Sequence, residues 1–267
     1  MPNGTIKTFS RGGSDVTGSI VARATKAKLY ENWTDVSGCL ICDPRIVNNP
    51  EPIKTITYRE LRELAYMGAT VLHEDAIFPV RAAGIPVNIK NTNQPEDRGT
   101  MIVSESAEHC DHIITGIAGK KGMSVINIEK DKMNSEIGFG KNVLRALEKS
   151  NVSFEHMPSG VDTMSVVIAT EALAGKETAI IDEIKSRVHP DQIYIESNLA
   201  LIAVVGRGMK SARGTAAILF SALADARVNI KMIDQGSSEL NIIVGVEEED
   251  FEVAIKAIYK RFIGINQ

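Results

Sequence analysis

Apolar residues recur at helical spacing from Ser19 to Tyr30, and the same period returns at Ile53 after a proline-punctuated loop running from Asp43-Pro44-Arg45 to Pro52. Thr57 and Glu60 stand at capping-box spacing ahead of Leu61, Leu64, Ala65 and Met67, which predicts a helix closed by Gly68. Leu72 to Ala83 reads as a second helix with Pro79 inside it, so a kink or a break is expected there. Ile85 to Ile89 and Met101 to Val103 read as short strands on either side of the polar loop Asn91 to Thr100, and Ser104 to Asp111 reads as a linker.

Beyond that linker the pattern repeats. Ala146-Leu147 matches Ala222-Leu223, and the same offset pairs Ser135 with Ser211, Gly138 with Gly214, Val152 with Val228 and Gly160 with Gly236. The apolar pairs Val166/Ile242, Val167/Ile243 and Ile168/Val244 fall in the same register. In the first copy the predicted strands are Ile113 to Ile117, Ser124 to Ile128, Val152 to Phe154 and Met164 to Ala169, with a helix from Phe139 to Lys149. In the second they are Ala200 to Val205, Val228 to Ile233 and Leu240 to Val246, with a helix from Thr215 to Ala226. Helical runs over Glu171 to Val188 and Asp250 to Phe262 complete two βαββαβ units.

Composition narrows what such a chain can do. Its 267 residues are 43% hydrophobic and 24% charged, with a net charge of −4, so no broad basic surface points to nucleic acid or an anionic membrane. Aromatic residues make only 5% while Gly, Ala, Ile and Val abound, which suits buried strands crossed by helices and an α/β protein. No apolar run reaches the roughly 20 residues of a membrane span, and Met1 to Thr5 lacks the features of a signal peptide, so a cytoplasmic location is expected. Cys39 and Cys42 have C-x-x-C spacing with no second pair to complete a metal site, and Cys110 stands far away; all three read as buried structural thiols.

The candidate chemistry lies near the start. Ser10-Arg11-Gly12-Gly13-Ser14-Asp15-Val16-Thr17 sets a guanidinium, two glycines, hydroxyls and a carboxylate ahead of a helical run, the make-up of an anion or amino-acid cradle. An ordinary capped helix accounts for the same residues. Gly138 and Gly214 each precede the first helix of a repeat, where free N–H groups could meet a carboxylate or simply form a tight turn.

Three segments, Ser10 to Thr17, Trp33-Thr34-Asp35-Val36-Ser37-Gly38 leading to Asp43-Pro44-Arg45, and the tandem repeat, together resemble the C-terminal part of an aspartate kinase over essentially the whole chain. Details of the first repeat, Glu136-Ile137-Gly138-Phe139-Gly140 and Phe154 to Gly160, are similar to the single-function, lysine-responsive branch. The resemblance implies an α/β fold: the C-terminal half of an amino-acid-kinase-type αβα sandwich over 1–105, then two ferredoxin-like ACT units. These would cover 113–190, which 250–267 could complete, and 195–267. It implies transfer of a phosphoryl group from ATP to the side-chain carboxylate of L-aspartate, the first step toward lysine, threonine and methionine. ATP would arrive with substrate-bound Mg²⁺, and there would be no resident metal.

By the same resemblance Arg11 and Asp15 would be catalytic, and Arg11, Gly12, Gly13, Ser14 and Thr17 would hold aspartate. Thr34, Asp35, Leu40, Arg45 and Asn93 would hold the nucleotide, although the family often has Tyr in place of Leu40 and Lys in place of Asn93. Met133, Phe139, Ser153, Glu155 and Ser159 match positions that contact a feedback amino acid, lysine or threonine, and dimerisation through the ACT units is implied. The Lys-Phe-Gly-Gly segment with which aspartate kinases begin has no counterpart, so the chain reads as N-terminally truncated. A non-catalytic amino-acid-sensing regulatory subunit is the alternative.

Overall fold

The computed structural model describes residues 4–6, 12–69, 74–105 and 112–264. Its first part is a four-stranded sheet, in the order β1 (Tyr30–Thr34), β3 (Val87–Asn91), β4 (Thr100–Val103), β2 (Thr55–Thr57). β1 and β3 run parallel, with Tyr30 opposite Val87 and Thr34 opposite Asn91, so both strands end on the same side of the sheet. Ile56, Val87, Ile89 and Ile102 are fully buried in it, each such side chain contributing roughly 1.5–3 kcal/mol.

Helix α1 spans Gly13–Ala24, six residues earlier at both ends than the periodicity predicts. Gly12 enters the helix in the left-handed conformation, and Thr17 turns its hydroxyl back onto the Gly13 carbonyl at 2.9 Å, so residues that look like loop take up helix. The chain leaves the helix with Lys26 at φ 53° and continues into β1, which the helical reading overlooked because its core-facing residue is the polar Asn32. Helix α2 (Tyr58–Tyr66) begins with the predicted capping box. Helix α3 (Glu74–Ala82) continues through Pro79 without a break.

The second part is a five-stranded antiparallel sheet, β6-β5-β7-β9-β8. β5 (Gly116–Glu129) and β7 (Gln192–Val205) are each 14 residues long; β5 replaces the two short strands expected over Ile113 to Ile117 and Ser124 to Ile128, and β7 starts eight residues ahead of the strand expected over Ala200 to Val205. They pair along almost their full length, from Gly116 opposite Val205 to Glu129 opposite Gln192, with bulges near Gly122 and Asn198, both at positive φ. The two repeats are thereby intertwined. One half of each strand serves the first unit, with α4 (Phe139–Lys149), β6 (Thr163–Ala169), the short α5 (Thr170–Leu173) and α6 (Glu177–Val188). The other half serves the second, with α7 (Thr215–Asp225), β8 (Met232–Asp234), β9 (Asn241–Glu247) and α8 (Phe251–Phe262). Residues 116–120, which precede the first unit, supply the strand that follows α8 in the second. Gly138 and Gly214 cap α4 and α7 with nearly the same backbone angles, φ 85° in both, so the repeat seen in the residues is a repeat of geometry. The expected strand Val152 to Phe154 is absent; pairing falls instead on Glu155 and His156, against Val167.

One core runs through both parts, from Ile56 and Leu64 to Leu201, Leu219 and Ile255. At its centre Glu60, fully buried, accepts from Thr57 N (2.9 Å), Thr115 Oγ1 (2.6 Å), Arg207 N (2.8 Å) and Arg207 Nη1 (2.8 Å). Burial pushes its carboxyl up, but the donors outweigh burial and hold it below its ordinary value of 4.5. The stability this carboxylate contributes is therefore present above about pH 4.5 and lost as pH falls through the lower folded value. Glu60→Ala, which leaves Arg207 half-buried and unpaired, is expected to cost about 3–5 kcal/mol in chemical unfolding. Glu60→Gln should flatten the acid limb of the wild-type stability profile.

Candidate active site and regulatory surface

The parallel strands β1 and β3 deliver their ends to one edge, and α1 places its first turn beside β1. Asn32 Nδ2 donates to Asp15 Oδ1 (3.1 Å) and to Tyr30 Oη (3.2 Å), while the Tyr30 hydroxyl reaches the Asp15 carbonyl (3.4 Å). The helix lies so close to the strand that a Cβ on Gly18 would sit 2.6 Å from the Tyr30 hydroxyl. Among the described residues no side chain caps α1, whose first turn lies next to the exposed Ser14 and Thr17. Arg11 lies outside the described residues, as does Cys110.

At the strand ends Thr34 Oγ1 bonds Asp35 Oδ1 (3.2 Å), Thr92 bonds the Thr34 carbonyl through N (2.8 Å) and Oγ1 (2.9 Å), and Asn93 N donates to Asn91 Oδ1 (2.9 Å). Thr34 and Asp35 thus touch, and Thr92, next to Asn93, is tied to the same strand end. Lys90, which the sequence reading passed over, joins them: its ammonium lies 5.6 Å from the Trp33 ring centre and bonds the Asp97 carbonyl. The only advance signal was a lysine within a short strand that ends in a polar loop.

The loop after β1 is stitched down by Thr100, whose hydroxyl accepts from Cys39 N (2.8 Å) and donates to the Ile53 carbonyl (2.6 Å). Leu40 and Arg45 lie further along this loop. Leu40 is partly exposed, and Arg45 forms a two-pronged pair with Asp43 (3.0 and 2.7 Å) that holds the Asp43 carboxyl below its ordinary value. Burial pushes the Cys39 and Cys42 thiols up to about 12 and about 11, and both are free and buried as expected. Among the described residues no group of His, Cys, Asp and Glu is arranged to hold a metal ion.

In the first unit Met133 and Phe139 are interior, while Ser153 and Ser159 are exposed. Glu155 already has an internal counter-ion, Lys120 Nζ at 2.6 Å, and accepts from the hydroxyl of Tyr66 at the end of α2. Burial raises the Glu155 carboxyl, but these two donors outweigh it and leave it lowered. Burial and the neighbouring carboxylate push Tyr66 up to about 12. Next to it, His156 Nδ1 lies 2.9 Å from Asp234 Oδ2 on β8.

The amino acid kinase family model matches residues 2–91, and the ACT domain model matches residues 202–262. The chain thus joins a segment of an amino acid kinase domain to an ACT module. Aspartokinase 3 of Bacillus subtilis (strain 168) is 44% identical over 261 residues, covering 97% of this chain and 57% of the relative. The crystal structure of the Clostridium acetobutylicum aspartate kinase superposes with a TM-score of 0.92 at 60% identity, covering 97% of this chain and 60% of that one. Escherichia coli aspartokinase III in complex with aspartate and ADP gives a TM-score of 0.77 at 26% identity, covering 96% and 57%. The chain is similar to these aspartokinases along nearly its whole length, and it spans a little over half the length of these relatives. Among the described residues no helix is long and apolar enough to cross a membrane.

Thr100→Val, which removes the hydroxyl while keeping the shape, leaves Cys39 N and the Ile53 carbonyl unpaired and should cost about 1–3 kcal/mol for each, read by denaturant unfolding. Loss of hydrogen-exchange protection should concentrate in residues 36–53.

Proposed function

We propose that this chain is part of an aspartate kinase, which transfers the γ-phosphoryl group of MgATP to the side-chain carboxylate of L-aspartate, giving 4-phospho-L-aspartate and ADP. The observation that carries the reading is the likeness to the Clostridium enzyme, 60% identical over 97% of this chain. Crystal structures of the E. coli relative hold aspartate with ADP, and lysine with aspartate, and we carry those ligand classes here.

Phosphoryl transfer depends on positioning and on neutralising spread negative charge. Arg11, with Gly12, Gly13, Ser14 and Thr17, would grip aspartate at the N-terminus of α1. Asp15, held by Asn32, would orient the donors around the moving group. Thr34, Asp35 and Asn93 would take the base and ribose, with Leu40 beside them. Arg45 would reach the phosphates by exchanging Asp43 for a phosphate oxygen, a swap between like partners at an exposed site.

Feedback would enter at the first ACT unit, through Met133, Phe139, Ser153, Glu155 and Ser159, with lysine as the effector and threonine as a second candidate, in a dimer built through the ACT units. To take an effector's ammonium Glu155 must exchange Lys120, which also loosens its hold on Tyr66 of α2. A second reading, an amino-acid-sensing subunit without activity, is favoured by the kinase family match stopping at residues 2–91 while the ACT sheet has all five strands.

The test is ATP-dependent aspartyl hydroxamate formation, with L-lysine and then L-threonine titrated by calorimetry on the same sample. Turnover is expected in the protein that carries this chain, and Asp15→Asn should lower kcat/KM for aspartate by about 100-fold or more. Glu155→Gln should raise the lysine concentration for half-inhibition by about tenfold while sparing the uninhibited rate. Saturable lysine binding without turnover would select the sensor reading.

A further inference from the structure

A cavity of ≈ 640 Å³ lies between the loop that carries Arg45 and the second repeat. Its volume falls within the range of small-molecule sites, about 300–1,000 Å³. The floor is apolar: Leu64, Ile117, Phe251 and Ile255 line it, and none is more than 5% exposed. Among the described residues charge at this cavity is confined to two pairs, one on each wall. Asp43 and Arg45 are locked together on the loop, whereas Lys121 and Glu252 on the opposite wall stand 3.7 Å apart, well beyond the roughly 2.7–2.9 Å of a charge-assisted hydrogen bond. Lys121 also lies 5.3 Å from the Phe251 ring centre, so its ammonium overlooks the apolar floor. Leu40 and Arg45, which we carry to the nucleotide above, line the loop side of this space, whereas Thr34, Asp35 and Asn93 do not.

A net-charged ligand would find its own charge on each wall as well as the opposite one. A zwitterion instead satisfies Lys121 with its carboxylate and Glu252 with its ammonium, and a large apolar group covers the floor. We propose that the cavity binds a small zwitterion of the α-amino-acid type with a bulky apolar or aromatic side chain, at a site that adjoins the nucleotide residues through Leu40 and Arg45 and lies apart from the first-unit surface. Such a ligand touches the Arg45 loop and α8 together, and so ties the kinase segment to the second ACT unit. The inference does not depend on the reaction proposed above.

The probe is L-phenylalanine, titrated calorimetrically into the folded chain beside phenethylamine and 3-phenylpropionate, each of which keeps one charge. Saturable one-to-one binding is expected for L-phenylalanine, with both analogues at least about tenfold weaker, a difference of roughly 1.4 kcal/mol. Lys121→Ala and Glu252→Ala, both at solvent-exposed positions, should each weaken binding by about tenfold without changing the melting temperature. Val36→Trp, which fills the mouth from the loop side and leaves both charges in place, should abolish it. The proposal is overturned by absence of saturable heat from L-phenylalanine or by binding that survives both charge variants.

Discussion

Glu60 is the point on which the molecule closes. A carboxylate with no solvent exposure is costly unless every lone pair finds a donor, and here the donors come from the cap of its own helix, from the linker at Thr115 and from both the backbone and the guanidinium of Arg207. Removing any one body leaves buried charge unpaired, so the kinase segment, the linker and the second ACT unit must dock together. Nearby contacts follow from that docking: Gly116 packs so closely on Leu64 that a Cβ would lie 2.8 Å from a leucine methyl, and Asn241 reaches Glu63 at 2.7 Å.

The two ACT repeats are coupled in a different way. Because β5 and β7 each run through both, neither unit can shift its sheet without dragging the other, and the bulges at Gly122 and Asn198 are the places where the shared strands can bend. Around the first bulge sit Lys120, Glu155 and Tyr66, and the adjacent His156–Asp234 contact joins corresponding segments of the two repeats. A ligand with different affinity for two arrangements of these contacts would shift the balance between them, which is what regulation requires.

The candidate chemistry sits where parallel strands end, the usual place for ligands in open α/β sheets, because loops there can vary while the strands hold their starting points fixed. The loop is anchored by Thr100 at one end, and its charges are closed on one another in the Asp43–Arg45 pair. An anion that took Arg45 there would exchange with Asp43 rather than fill a void.

Local signals were legible in the sequence wherever the local pattern and the tertiary demand agreed. Helix α4, the capping box of α2, the repeat and its capping glycines, and the buried pair Cys39 and Cys42 could all be read from spacing alone, because period and turn chemistry act over a few residues. Thr34, Asp35 and Asn93 were named only through the family resemblance, and Lys90 not at all, because its contacts depend on Trp33 and Asp97 arriving from other segments. What only the tertiary structure decided is non-local. Glu60 reads as a cap until Arg207 meets it 147 residues later, and β5 reads as two short strands and β7 as one until their mutual register joins and lengthens them. Glu155 reads as an open surface carboxylate until Lys120 neutralises it. A side chain's chemical type is written in the sequence, but its partners are fixed by which surfaces the packed core brings together.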